Sequence, residues 1–148
     1  MDIYYISSKT LALIPIGLKK THIIEEDYEF DINKSFMNII DYNCKINGSS
    51  YIGRYESSKL LIGISSKLPI LLEEKGREIY IPTNSIRNAN CWWISYNNIK
   101  DYYKKGKNVI LVFKNNQNLL LDISFKVFEK QILKVNKLIF KLNSKKAQ

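Results

Sequence analysis

The chain has 148 residues, and its 23 Lys and Arg against 14 Asp and Glu give a formal net charge of +9. That length suits one domain spanning residues 1–148, and 45% hydrophobic with 25% charged residues is a globular profile rather than a disordered one. Two cysteines and one histidine exclude a four-ligand zinc site and a disulfide framework, leaving free thiols in a reducing compartment as the expectation.

In chain order, Ile3 to Ile6 and Thr10 to Ile14 are short apolar runs around Ser7-Ser8-Lys9, which predicts a hairpin. Ile23 to Ile32 reads as a further strand region, with Tyr28, Phe30 and Ile32 alternating with Glu29 and Asp31. Asn33 or Ser35 can cap a helix running to about Ile46. Phe36, Ile39, Ile40 and Cys44 share its apolar stripe, which makes Cys44 a core thiol. Gly48 ends that helix, and Ser49 or Ser50 starts a second one reaching Ile62, with a flexible point at Gly53.

Leu68 to Leu72 and Glu78 to Ile81 flank Glu74-Lys75-Gly76, a hairpin signal. Thr83 to Asn90 is a polar loop carrying Arg87, and Trp92 to Tyr96 an aromatic strand. Asn97 to Tyr103 is read as one helical turn. Val109 to Phe113 and Leu119 to Ile123 form a last hairpin. Phe125 to Leu142 is a helix with Ser124 as its N-cap, because Phe125, Phe128, Ile132, Val135, Ile139 and Leu142 recur every three or four residues. The fold class expected is α+β: a mostly antiparallel sheet, a central helix pair and a C-terminal amphipathic helix.

Charge is segregated along this plan. Residues 1–103 carry 12 basic and 12 acidic residues, while residues 104–148 carry 11 lysines against Asp122 and Glu129. A segregated excess points to a polyanionic partner. Lys126, Lys130, Lys134, Lys137 and Lys141 follow one face of the last helix. That face is either an ordinary solvated one or a row of ammonium groups for phosphates or acidic lipid.

No catalytic constellation, metal cage or phosphate-binding glycine motif is visible, so an enzyme, a cofactor and a bound metal are not expected. His22 is the single histidine and is expected to be an ordinary surface residue. The start, Met-Asp-Ile-Tyr-Tyr, does not resemble a signal peptide, and no run of about 20 apolar residues is present to span a membrane. The expectation is a soluble, intracellular protein.

Several short motifs fall in one order: Gly48-Ser49-Ser50-Tyr51-x-Gly53-Arg54, Lys67-x-Pro69-Ile70, Pro82-Thr83, Arg87, Cys91-x-Trp93-Ile94-Ser95 and Phe128-Glu129-x-Gln131. Together they resemble the competence transcription factor family (ComK) from about Cys44 to Gln131, and more loosely from Ile23. The resemblance implies a cytoplasmic, nucleoid-associated, DNA-binding activator of competence genes. It implies recognition of paired A/T-rich boxes through the minor groove, by dimers that pair into tetramers, with RNA polymerase as a further partner and no cofactor. The chain reads as a short member of the family, and Trp92 stands where a small residue is expected.

On that basis Ser49, Ser50, Tyr51, Arg54, Lys67, Arg87, Asn88, Lys126, Lys130 and Lys134 are the candidate DNA contacts. Arginine and lysine gain most in a narrow, strongly negative A/T minor groove. Ser49, Ser50 and Tyr51 can serve phosphates at a helix start, and Asn88 can donate to the base acceptors of the minor groove. The segment Gly48 to Arg54 is equally readable as a structural helix junction whose arginine caps or bridges. Two other classes stay open: a basic membrane-surface module, and a truncated DNA-binding regulator without activation.

Overall fold

The computed structural model describes residues 3–146. Its strands are β1 (Thr10–Ile16), β2 (Lys20–Glu25), β3 (Glu29–Ile32), β4 (Ile70–Leu71), β5 (Ile79–Pro82), β6 (Trp93–Ser95), β7 (Ile99–Lys105), β8 (Asn108–Phe113) and β9 (Asn118–Leu121). Its helices are α1 (Phe36–Ile46), α2 (Tyr51–Ile62) and α3 (Phe125–Lys146). One sheet has the order β3-β2-β1-β6-β5-β4 and the other β7-β8-β9. Every pairing given for these strands is antiparallel, so the α+β class with its helix pair and C-terminal helix is observed.

Alternation along the strands divides the core. Leu13, Ile23 and Trp93 face one way and pack with Ile39, Ile40 and Cys44 of α1. Ala12, Ile24 and Ile94 face the other way and pack with Val109, Leu111 and Phe113 of β8 and with Phe128 of α3. The large sheet is therefore covered on both faces, which is why β1 begins with four consecutive buried residues. A third cluster joins Ile62 of α2 to Val135 and Leu138 of α3 over Ile79 and Ile81.

Local chemistry sets the helix starts. Ser35 Oγ accepts from Asn38 N, Ser50 Oγ from Gly53 N, and Ser124 Oγ from Val127 N, each at 3.0 to 3.2 Å. Gly63 closes α2 at φ 83, a left-handed C-cap that glycine adopts without steric cost.

Three sequence expectations are corrected. The first hairpin is not around Ser7-Ser8-Lys9. It turns at Gly17, φ 68, and pairs Ile16 with Lys20. Ile3 to Ile6 forms no strand, because α1 holds it through a side chain: Asn43 Oδ1 accepts from Ile6 N at 2.9 Å, and Asn43 Nδ2 donates to Tyr4 O at 3.0 Å. Ile23 to Ile32 is two strands, broken between Glu25 and Glu29. Asn97 to Tyr103 is mostly strand β7, with a single 3-10 turn at Tyr96–Asn98. Its charged residues lie on an edge strand, so the hydrophobic signal comes from one side only.

The buried amide of Asn98 marks that junction. Its Nδ2 donates toward Ser8 O (3.0 Å), Thr10 O (3.1 Å) and Ser95 Oγ (2.9 Å), joining the start of β7 to β1 and β6. Trp92, the expected misfit, is half-buried among the residues between the two sheets. Its N–H donates to Thr83 Oγ1 at 3.0 Å.

His22 is not an isolated surface residue. Its Nε2 meets Glu29 at 2.7 Å and its Nδ1 meets Asp31 at 2.6 Å, across the β2–β3 pair. Burial pushes the imidazole pKa down, but the hydrogen bonds from Asp31 and Glu29 outweigh it and leave the value raised above 6.5. A raised folded value means that the clamp stabilises fully below the unfolded pKa of about 6.5 and loses its effect as pH rises through the folded pKa. The expected result is a urea midpoint that falls between pH 6 and 8 in the wild type and falls less in His22→Gln. Equal slopes for both proteins would refute the clamp.

Candidate nucleic-acid interface

The N-terminal half of α2, residues 65–68, the end of β5 and the loop after it enclose a groove of about 370 Å³. Tyr51, Tyr55 and Trp93 make its aromatic side, while Lys67 and Arg87 bring cations to it. Tyr51 stands edge-on to Trp93, ring centroids 6.4 Å apart at 87°. Tyr55 donates its hydroxyl to Ser65 O at 2.8 Å, tying α2 to the groove's rim. Burial pushes the Tyr51 phenol up to about 12, so it stays a neutral donor across the physiological range.

Lys67 is held there by its backbone. Its φ is 51, a left-handed conformation uncommon outside glycine. Its carbonyl accepts from Gln131 Nε2 at 2.9 Å. Gln131 is 1% exposed, and the same Nε2 also donates to Pro82 O at 2.8 Å. One buried amide on α3 thus joins the loop before β4 to the end of β5. Lys134, one turn on, donates its ammonium to Ser66 O at 2.9 Å. Burial lowers the Lys134 pKa first, and repulsion from Lys67 and Lys130 adds to it, so these three cations form one electropositive cluster.

Arg87 is presented by a loop that makes its own turns. Asn84 Oδ1 accepts from Ser85 N (2.9 Å), and Asn88 N donates to Ser85 O (2.9 Å). Asn88 Oδ1 accepts from Asn90 N at 2.8 Å. The Asn88 side chain therefore spends its acceptor inside the loop, and the residue is exposed.

The predicted residues divide accordingly. Tyr51, Lys67 and Arg87 line one groove, with Lys67 and Lys130 both close enough to Lys134 to act on its charge. Lys126 is exposed near the start of α3, and Asn88 is exposed just past Arg87. Ser49 and Ser50 belong to the α1–α2 junction: a Cβ on Gly53 would stand 2.5 Å from Ser49 Oγ and 3.2 Å from Ser50 Oγ. Gly53 leaves room for serine hydroxyls inside the first turn of a regular helix. The Tyr51 amide donates to Asp41 Oδ1 at 2.8 Å. This bond, with the one from Lys45, holds the Asp41 carboxyl below its usual range. A protein carboxylate thus occupies part of the helix N-terminus where a phosphate was anticipated.

Arg54 also sits apart from the groove. Its Nη2 donates to Asn47 O at 3.1 Å, at the end of α1. It lines a separate depression with Leu61, Glu74 and Lys145. Cys91 and Trp93 are buried, as scaffold should be. Burial raises both thiols, Cys44 and Cys91, to about 11, which leaves them protonated and unreactive. Tyr55, Ser65, Ser66 and Ile86 join the groove without having been singled out in the sequence. Tyr55 was legible as the residue one turn after Tyr51, and the others gave no local signal.

The groove is thus cationic, with Lys67 and Arg87 carried on an α+β scaffold whose paired strands are antiparallel. The chain belongs to the ComK protein family, whose profile matches residues 1–147. It is similar to the competence transcription factor of Bacillus subtilis (strain 168), with 30% identity over 136 residues, covering 89% of this chain and 71% of that protein. No solved structure matches it.

The Gln131 clamp has a measurable weight. Gln131→Leu leaves two carbonyls short of a buried donor, so a loss of roughly 1–3 kcal/mol in urea unfolding is expected. An unchanged stability would show that neither bond matters.

Proposed function

We propose that this chain regulates transcription of competence genes by binding A/T-rich duplex DNA as a homodimer, each subunit reading one box through the minor groove. The coarse part, regulation of competence transcription, follows from the family and from the B. subtilis relative. The finer part rests on one observation: motif residues 16 and 20 positions apart, Tyr51, Lys67 and Arg87, line a single groove beside the lysines of α3.

In this reading Lys67 and Arg87 enter or border the narrow groove, where the potential of A/T tracts is most negative. Asn88, through its free amide hydrogens, donates to adenine N3 or thymine O2. Lys126 and Lys130 lie along phosphates and supply affinity that does not depend on sequence. Lys134, already bonded to the Ser66 carbonyl, positions the loop that carries Lys67. Ser49, Ser50 and Arg54 act as the supports of the α1–α2 junction, and Tyr51 as the wall of the groove. Activation through RNA polymerase, and pairing of dimers into tetramers on paired boxes, complete the proposed role.

The membrane-surface alternative has one observation in its favour. Leu133 and Phe140 remain 60% and 66% exposed on α3 among its lysines. Phe128, Val135 and Leu138 of the same helix are buried, however, so little apolar surface is left for a bilayer. Among the described residues no helix is long and apolar enough to cross a membrane. Sedimentation with anionic vesicles in the absence of DNA is expected to leave the protein in the supernatant.

Mobility shifts on duplexes with paired A/T boxes test the main proposal, and equal affinity for a GC-rich scramble would overturn it. Arg87→Ala and Lys67→Ala are expected to cost roughly 1–3 kcal/mol and to erode the A/T preference. Lys130→Ala is expected to weaken all sequences alike and to lower the salt slope by about 1. Arg54→Ala is expected to lower stability with the A/T preference kept.

A further inference from the structure

The β7-β8-β9 sheet buries one face only. Val109, Leu111, Phe113 and Leu121 point into the core with α3. The strand period sends their neighbours outward, and the register places Tyr103 opposite Ile110 and Ile110 opposite Leu120. That makes a continuous apolar row across all three strands, with Val112 beside it. The row is open to solvent: Tyr103 keeps 48% and Leu120 51% of its surface exposed. Three adjacent apolar side chains on the outer face of a sheet differ from the scattered exposed apolar residues of any monomer.

Asp122 is exposed just past the end of β9, and on β7 the charges to either side of the row are opposite in sign. On β7, two residues to either side of Tyr103, Asp101 and Lys105 share its outward face, and both are exposed. A two-fold axis running along the apolar row reverses the strand direction. It therefore sets Lys105 of one copy over Asp101 of the other, twice, with the row packed on itself between them. The surface is thus complementary to itself, which an isologous interface requires.

We infer that the outer face of the β7-β8-β9 sheet is the contact by which two copies of this chain associate. The inference deepens the homodimer part of the function proposed above and rests on it. Two three-stranded sheets packed in this way form a small sandwich across the axis. The patch is narrow, three strands at about 4.8 Å spacing, and smaller than the roughly 800 Å² per partner of a standard interface. Association is therefore a concentration-dependent equilibrium, in which the Asp101–Lys105 pairs select the register more than they add affinity.

Sedimentation equilibrium of the full chain without DNA, from low micromolar to near-millimolar concentration, tests it. The wild type should pass from monomer to dimer. Leu120→Lys, which alters a half-exposed side chain, should stay monomeric with an unchanged circular dichroism spectrum. Asp101→Lys and Lys105→Asp should each weaken association several-fold, and the double variant should recover it, because the pairs re-form with their signs exchanged. A wild type monomeric throughout, a dimer surviving Leu120→Lys, or a double variant no better than the singles would each overturn the interface. Mobility shifts on a single A/T box separate the two ideas: variants that bind one box while monomeric fail only in dimerisation, and a protein that dimerises without preferring A/T boxes fails only as the proposed reader.

Discussion

The groove depends on the buried amide of Gln131. Its two bonds, to Lys67 O and Pro82 O, connect α3 to points in the chain 64 and 49 residues earlier. Lys67 in turn holds a left-handed backbone that its own side chain does not favour. Without a donor on its carbonyl, the loop from Gly63 to Lys67 would have little reason to hold that conformation. A leucine at 131 would bury more apolar area but could not supply the donor. The position is polar because it fixes a register, as buried amides do when each hydrogen finds a partner. Asn43 and Asn98 work in the same way at the N-terminal segment and at the junction of the two sheets.

The same helix therefore carries two kinds of lysine. Lys134 lies close enough to the loop for its ammonium to replace water with carbonyl oxygens, and its charge becomes costlier there. Lys126 and Lys130 keep their water. Lys134 feels repulsion from Lys67 and Lys130, which an anion held beside them would offset. That gain is screened by salt for the exposed members and less so for Lys134.

Much of the fold was legible in the sequence because its signals are local. Ser35 of the pair Asn33 and Ser35, Ser50 of the pair Ser49 and Ser50, and Ser124 cap the three helices, and Cys44 falls on the apolar stripe of α1. The strands flanking Gly76 and those on either side of Asn115 needed only alternation and a turn. What failed was non-local. β7 was hidden because Lys100, Asp101, Lys104 and Lys105 on an edge strand mask its period. The Ile3 to Ile6 run has strand composition, yet the Asn43 amide takes the place of a ladder partner. The site divides in the same way. The motifs held Tyr51, Lys67 and Arg87, and the junction reading of Gly48 to Arg54, in which the arginine caps or bridges, matches the Arg54 Nη2 bond to Asn47 O, while Ser65, Ser66 and Ile86 gave no local signal.

The net charge of +9 takes on a sharper meaning once it is placed in three dimensions. By sequence, all of the excess belongs to residues 104–148, most of which lie in β8, β9 and α3. The cations of the neutral part that matter for the groove, Lys67 and Arg87, are carried on loops that α3 and β5 fix in place. In the proposed function the protein would separate two demands that conflict when met by one element. Generic attraction to phosphate needs many solvated ammonium groups on a stiff support, and a helix supplies them. Discrimination needs a few cations held at defined positions, and that requires buried bonds beneath them. Gln131 belongs to the helix and bonds the carbonyls of Lys67 and Pro82, so in the proposed function one side chain would align the two.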